Sequence, residues 1–580
     1  MQESRRQPGR RLCGHPYAGG LLLGLCGAIL VLATLDPLGS YPQLGAGPGI
    51  TLDESFNVQQ GVLLVEAFRA YGVFLFDPMN AREIFGGEGG IPYLPDHPPL
   101  GRWILGVAHH AMWSLLEPES PAGPAVTACA RAGSSLLFGL TICLIGMTAG
   151  RWQGPLAGWF GAAAVLLMPR LFGHAHLASL ESAVNLTYAL AVLCLAHGFT
   201  RNKSTAAPDT GADAEVTLPL SWRAGLFPGL MLGLALLTKI QGFLILPCGL
   251  VWAICYWRRQ ALVPMLTWGV VGGLVFFLGW PWLWLDPLGH AGKFLGSATD
   301  RVSLHNYYVG TVFADVDTPW HYPWVMFLVT VPIGLHACGM LGAWRSVREW
   351  RQRPEGILPL ACLLFPLVLF STRGPVYDGT RLFLMIFPLW ALFIGRGAID
   401  IYARLCRKFP AHQALGCLCL LFLLQGYGLL ATHPCQLSYY NLLVGGPAGA
   451  RKLGFEATYW GDSLTRPFLE ECLHHIPPGS EVQVAPVLHQ FQCEELVTQS
   501  PLVSARKVRF VPFERKAEDD HSTQPRYYLV FARYADLPEP FRSALAGPSA
   551  TIEPLALLHR QHVPLAALFR SRPTLAPGEH

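Results

Sequence analysis

The sequence predicts an all-α polytopic membrane bundle of about eleven spans, its N-terminus cytoplasmic, followed by a C-terminal extracytoplasmic soluble α/β domain. Three observations predict it. Hydrophobic residues make up 52% of the 580 positions and charged residues 14%, against about 25% charged in an average soluble domain. Apolar runs near the ~20 residues that a spanning helix needs recur through positions 1–431. Over 432–580 the pattern changes to short alternating and β-rich runs separated by polar turns. A disordered chain is excluded, since disorder needs low hydrophobicity and high charge. The net charge of +4 is spread without a basic block, so nucleic acid is excluded as a partner. Most of the 15 Cys lie in apolar runs without ligand spacing and read as small buried hydrophobes.

The candidate spans are 17–36, 127–150, 155–173, 181–199, 223–238, 240–257, 261–284, 322–344, 357–371, 382–396 and 413–431. The stretch 100–116 is interrupted by Arg102, His109 and His110 and reads as an interfacial helix. Cytoplasmic connections collect Lys and Arg. One alternating set carries Arg5, Arg6, Arg10 and Arg11, then Arg151, then Arg201, Lys203 and Arg223, then Arg258 and Arg259. It continues with Arg345, Arg348, Arg351 and Arg353, and with Arg396, Arg404, Arg407 and Lys408. That side is cytoplasmic, and an odd number of spans then puts the tail outside. Span 17–36 follows a basic start like a signal peptide but is long enough to remain as an uncleaved anchor. Loop 38–126 is the long acidic outer segment, and 200–222 reads as a linker. In the tail, Glu481-Val-Gln-Val, Lys507-Val-Arg-Phe-Val and Arg526–Phe531 read as strands, and Asp462-Ser463 caps a helix over Leu464–His475.

Span middles are free of charge, whereas Arg131, Arg170, Glu181, Lys239 and Arg381 stand at outer span ends. That placement describes a site at the outer interface and not a conduit. Asp53-Glu54 can raise each other's pKa and supply a general base, or can be a helix-start pair with Thr51 or Asp53 as cap. Asp96-His97-Pro98-Pro99 is a rigid approach to the interfacial helix. His174-Ala-His176 does not share a helix face and is a weak metal signal, while Ser179 is placed to cap the helix containing Glu181. Tyr377-Asp378-Gly379-Thr380-Arg381 is a turn, or an Arg offered to a phosphate.

Taken in order, Asp53-Glu54, His97-Pro-Pro-Leu-Gly101, Ala130-Arg131, Leu177-Ala-Ser-Leu-Glu181-Ser-Ala, Gly233-Leu-Ala-Leu-Leu-Thr-Lys239 and Tyr377-Asp-Gly-Thr-Arg381-Leu-Phe-Leu resemble the membrane-embedded C-type glycosyltransferases that use polyprenyl-phosphate sugars. The nearest groups are the protein O-mannosyltransferases and the lipid A aminoarabinose transferases. The resemblance covers about 1–430. It implies that Asp53 is the catalytic base with Glu54 as its partner, and that Glu181 is the second-loop acid beside Asp96. It further implies that Arg131 belongs to the donor site. Where the aminoarabinose transferases have an acid and a Lys serving a metal and the lipid phosphate, this chain has Asp96-His97, so the one cofactor left open is a divalent metal. Loop 285–321 is too short for the β-trefoil module of the O-mannosyltransferases, and a bacterial cytoplasmic membrane is the expected location. The tail lies outside the shared region and resembles an added acceptor-side domain.

The expected function is transfer of a sugar from a polyprenyl-phosphate carrier to a protein, lipid or glycan acceptor. An outward site has no nucleotide sugars, so its donor must arrive on a lipid. Asp53 takes the acceptor proton in a single inverting displacement, and Arg131, Lys239, Arg381 and His97 hold the leaving phosphate. The alternative is a transporter or flippase of lipid-linked sugars, which calls for mid-span charges and matched broken spans.

Overall fold

The computed structural model describes residues 15–86, 93–117, 126–200, 220–297, 302–372, 374–486, 488–514 and 525–572. The four N-terminal arginines, most of the linker with Arg201 and Lys203, and Arg301 and Arg373 of the outer loops lie outside these.

The chain is mostly helical. Each of the eleven apolar ranges carries an apolar helix or a bent pair of helices. Among the described residues, five helices are long and apolar enough to cross a membrane: Thr127–Gln153, Glu181–Thr200, Ile240–Leu278, Ile386–Leu405 and Ala411–Ala431. The 39-residue Ile240–Leu278 covers the expected range 240–257 and most of 261–284, divided at Arg258, whose φ is 50°. Two ranges are not straight. Pro155–Leu166 and Pro169–Ala175 meet at 67°, and Tyr322–Thr330 and Ile333–Arg348 at 115°. Each break precedes or contains a proline (Pro169, Pro332), which cannot donate to the helix ladder. Ala18–Leu32, Arg223–Leu236 and Pro354–Leu369 are shorter apolar helices.

Helix α1 (Ala18–Leu32) and helix α2 (Thr127–Gln153) show why the bundle is close-packed. A Cβ on Gly24 would sit 2.6 Å from the Gly139 carbonyl oxygen, and one on Gly146 would sit 2.5 Å from the Gly20 Cα. Small residues on facing stripes let two backbones touch where lipid offers no hydrophobic drive.

The segment after α1 folds into Leu52–Tyr71, Pro78–Gly86 and Leu100–Leu116. Leu100–Leu116 buries Gly101, Arg102, Leu105, Gly106, His109 and His110 and exposes Val107 and Leu115. It presents one buried and one exposed face.

The tail carries a five-stranded sheet. Its strands, after the hairpin β1 (His305–Tyr308) and β2 (Thr311–Ala314), are β3 (Glu481–Ala485), β4 (Arg509–Pro512), β5 (Tyr527–Phe531), β6 (Ile552–Arg560) and β7 (Val563–Ser571), in the order β4-β3-β5-β7-β6. Strand β3 is parallel to both of its neighbours, and β7 is antiparallel to β5 and β6. Alternation in β7 sends Ala566 and Leu568 to one core and Leu565, Ala567 and Phe569 to the other. The expected helix starts later than its sequence suggested, at Arg466 after Thr465. Asp462 instead accepts from Thr458 Oγ1 at 2.5 Å. The two parts interlock. Leu38 and Ile50, between α1 and the next helix, join the sheet's core, while Tyr440, Ala450 and Phe455 join the bundle's.

Candidate active site

Thr51 opens helix Leu52–Tyr71, with Glu54 at its third position. Glu54 Oε2 accepts from the Thr51 backbone N at 2.9 Å and from Thr51 Oγ1 at 3.1 Å, closing a capping box. That carboxylate is fully buried. It receives Arg131 as a fork, Nε to Oε1 at 2.8 Å and Nη2 to Oε2 at 2.7 Å, and the Ala178 backbone N at 2.6 Å. Arg131 spends its other N–H groups on the carbonyls of Leu35, Pro48 and Gly49, at 3.1, 2.7 and 2.7 Å. A guanidinium has five donors, and all are engaged. Arg131 is fully buried with no donor left over, and Glu54 caps the helix and clamps that guanidinium.

Asp53, one residue earlier, points elsewhere. Its Oδ2 contacts Arg381 Nη2, and its side chain keeps 30% exposure. Burial lifts this carboxyl above the usual range, Arg381 opposes, and Glu181 and Asp378 lift it further, so the net shift is upward. Arg381 stands just before helix Ile386–Leu405 and is the hub of the cluster. Its Nε donates to Glu181 Oε1 at 3.1 Å and its Nη1 to Asp378 Oδ2 at 3.1 Å, beneath the Trp460 ring at 4.4 Å. Lys239 Nζ donates to Glu181 Oε1 at 2.7 Å. The structure thus brings Asp53, Glu181, Lys239 and Arg381 onto one guanidinium and its neighbours. Arg131 reaches the cluster only indirectly, through Glu54 and the loop that ends at Glu181.

Asp96 and His97 form the rim. Arg102, 1% exposed, donates to Asp96 Oδ1 at 2.8 Å, to Asn57 Oδ1 at 3.2 Å and to the Leu94 carbonyl at 2.5 Å, fixing the loop. Burial pushes the His97 imidazole down to about 3, so at neutral pH it is uncharged and can offer one neutral N–H. Ser179 does not cap the Glu181 helix, because its buried hydroxyl makes no hydrogen bond. His174 lies edge-on to Trp460 at 5.2 Å. Behind Lys239 and Arg381 a small cavity is lined by Glu181, Asn185 and Gln241, whose Oε2, Oδ1 and Oε1 are buried without partners.

Among the described residues no group of three or more His, Cys, Asp or Glu side chains is placed to hold a metal ion. The cluster carboxylates are engaged by Lys239, Arg381 and Arg102. This donor set does not fit a divalent metal, and no step is derived through one.

Residues 92–285, a third of the chain, match the family model "Dolichyl-phosphate-mannose-protein mannosyltransferase". The chain resembles the membrane glycosyltransferases that draw on lipid-linked sugars. The match indicates a glycosyltransferase with a lipid-linked sugar donor. Among solved structures, ArnT from Cupriavidus metallidurans in the apo state is similar at 15% identity and a TM-score of 0.46, over 97% of this chain and 99% of that one. The Archaeoglobus fulgidus oligosaccharyltransferase is similar at 12% identity and 0.45, over 73% and 56%. The S. cerevisiae protein O-mannosyltransferase Pmt1-Pmt2 complex bound to the sugar donor is similar at 14% and 0.30, over 53% and 42%. No curated protein sequence matches the chain.

Three participants escaped the sequence-based reading of roles. Asp378 was visible only as part of a turn beside Arg381. Trp460 lies in the tail, just before Asp462, with no assigned part. Arg533 follows strand β5 with no local signal, and only folding brings its Nη2 to 3.2 Å from Asp378 Oδ1.

Proposed function

We propose that this protein is a multi-pass membrane enzyme that moves a sugar from a polyprenyl-phosphate carrier to an extracytoplasmic acceptor. The observation that carries the reading is Arg381, whose one guanidinium meets Asp53 of the first outer loop and Glu181, itself held by Lys239. The site residues are Asp53, Lys239 and Arg381, with Glu181 orienting the two cations and His97 at the rim. Asp53 accepts the proton of the acceptor hydroxyl as its oxygen forms a bond to the anomeric carbon. The bond from that carbon to the phosphate oxygen breaks, and the polyprenyl phosphate leaves with its charge facing Lys239 and Arg381. One displacement inverts the anomeric centre. The partly exposed Asp53, with its carboxyl shifted upward, suits a base that must meet an acceptor from outside.

In this reading the chain crosses eleven times with its N-terminus cytoplasmic, and the cluster and the tail, from about 432 onward, face the extracytoplasmic side. The acceptor is a protein, lipid or glycan of that compartment, in a bacterial cytoplasmic membrane. Purified protein given labelled polyprenyl-phosphate sugars should consume the donor in the presence of acceptor, and an intact donor pool would sink the reading. A reporter active only in the cytoplasm, fused after His580, should stay silent.

A further inference from the structure

We propose that the C-terminal domain completes the donor site, with Arg533 as the counter-charge that leaves Arg381 and Lys239 able to receive the lipid phosphate. The inference rests on the function proposed above. The innermost cluster holds three carboxylates, Asp53, Glu181 and Asp378, and two cations from the bundle, Lys239 and Arg381. By themselves these groups carry one net negative charge, facing an incoming anion. The third cation comes from the tail. Arg533 Nη2 lies 3.2 Å from Asp378 Oδ1, its Nη1 donates to the Tyr459 carbonyl at 2.7 Å, and its Nε faces Asp536 Oδ2 at 2.6 Å. Asp378 is 4% exposed and Asp536 34%, so the interaction with Asp378 is the less screened. Trp460 Nε1 donates to Asp378 Oδ2 at 3.0 Å while the same ring covers Arg381. Asp378 is thus held on three sides, by Arg381 from the bundle and by Trp460 and Arg533 from the tail. Arg533 is a positioning residue: it acts through Asp378, and its charge is what the site requires.

The test is titration of the full-length protein in detergent with undecaprenyl phosphate. Arg533→Gln should weaken binding about tenfold, as expected when a buried charge pair loses one member beside an anion site. Asp378→Asn should bind at least as tightly as wild type. The double variant Arg533→Gln/Asp378→Asn should return to within about threefold of wild type, because removing the acid removes the need for its counter-charge. A mere brace between domains would not be rescued this way. Wild-type affinity in Arg533→Gln, or a loss that Asp378→Asn does not relieve, overturns the inference. Should Arg533→Gln fail to fold, the double variant is compared with Asp378→Asn alone. Equal affinity supports the proposal, and a tenfold gap overturns it. If wild type binds no undecaprenyl phosphate, the parent function falls first.

Discussion

Asp53 and Glu54 are neighbours in one helical turn and belong to two different constructions. Glu54 and Arg131 form an inner clamp with full burial, a two-point fork, every donor used and three loop carbonyls tied down. Asp53 and Arg381 belong to an outer cluster in which one guanidinium serves three carboxylates and one of them keeps solvent contact. Both are ion pairs at the start of the same helix. The difference is what remains available. A clamp whose hydrogen bonds are complete can only hold shape, whereas a cluster with shared donors and an exposed acid can exchange partners with a ligand. Counting charges along a sequence does not separate the two; counting donors in the fold does.

The largest effect should come from breaking the clamp. Arg131→Met leaves the Glu54 carboxylate buried without a counter-charge, which costs about 3–5 kcal/mol. Thermal unfolding in detergent should show the loss, and Arg131→Met/Glu54→Gln should recover part of it. An Arg131 variant that folds normally but binds polyprenyl phosphate poorly would return Arg131 to the donor site.

Next comes Asp53→Asn. Donor turnover should fall by at least about 100-fold, the lower range for general-base catalysis, while unfolding stays unchanged, because Thr51 and Glu54 hold the helix start. Turnover at the wild-type rate would remove the base and leave Asp53 a surface acid.

A smaller effect is expected at Lys239. Lys239→Met should weaken binding of polyprenyl phosphate by roughly 10-fold or more, the worth of a charge-assisted hydrogen bond, with Glu181 still held by Arg381. Unchanged binding would confine Lys239 to a structural ion pair, like Arg131.

A further effect is read against pH, at Glu456, whose carboxyl lies within charge range of Arg533. Burial lifts the Glu456 carboxyl from its ordinary value to about 8, although it accepts from the backbone N–H groups of Tyr534 and Ala535. Its raised value means the folded state keeps the proton longer than the unfolded chain. Stability should therefore decline as pH rises from about 4.5 to about 8. Glu456→Gln, which cannot ionise, should flatten that decline in unfolding curves taken across this window. An unaltered slope would show that Glu456 is not its source.

Much of this was legible along the chain. Apolar runs located the helices, because a run of side chains that water rejects needs no partner to be recognised. Period-two alternation located β3 and β4, and a run of β-branched and aromatic residues located β5. The edge hairpin β6–β7 was less legible, since Val563–Ser571 is apolar almost throughout, buried on both faces, and lacks the alternation of a half-exposed strand. The kinks at Pro169 and Pro332 were written as prolines but read through as continuous spans.

At the site, the sequence by itself determined which ionisable residues stand at span ends, and therefore that acids and cations would meet at one level of the bundle. It did not determine which acid would meet which cation. Asp53 and Glu54 are adjacent, yet a helix turns by about 100° per residue, and only packing decides that one carboxylate faces Arg131 while the other faces Arg381. Arg533 lies 155 residues after Asp378, a separation that carries no local pattern. The tertiary structure decided that pairing, because burying Asp378 requires a counter-charge from whichever element folds against it, and that element is the tail.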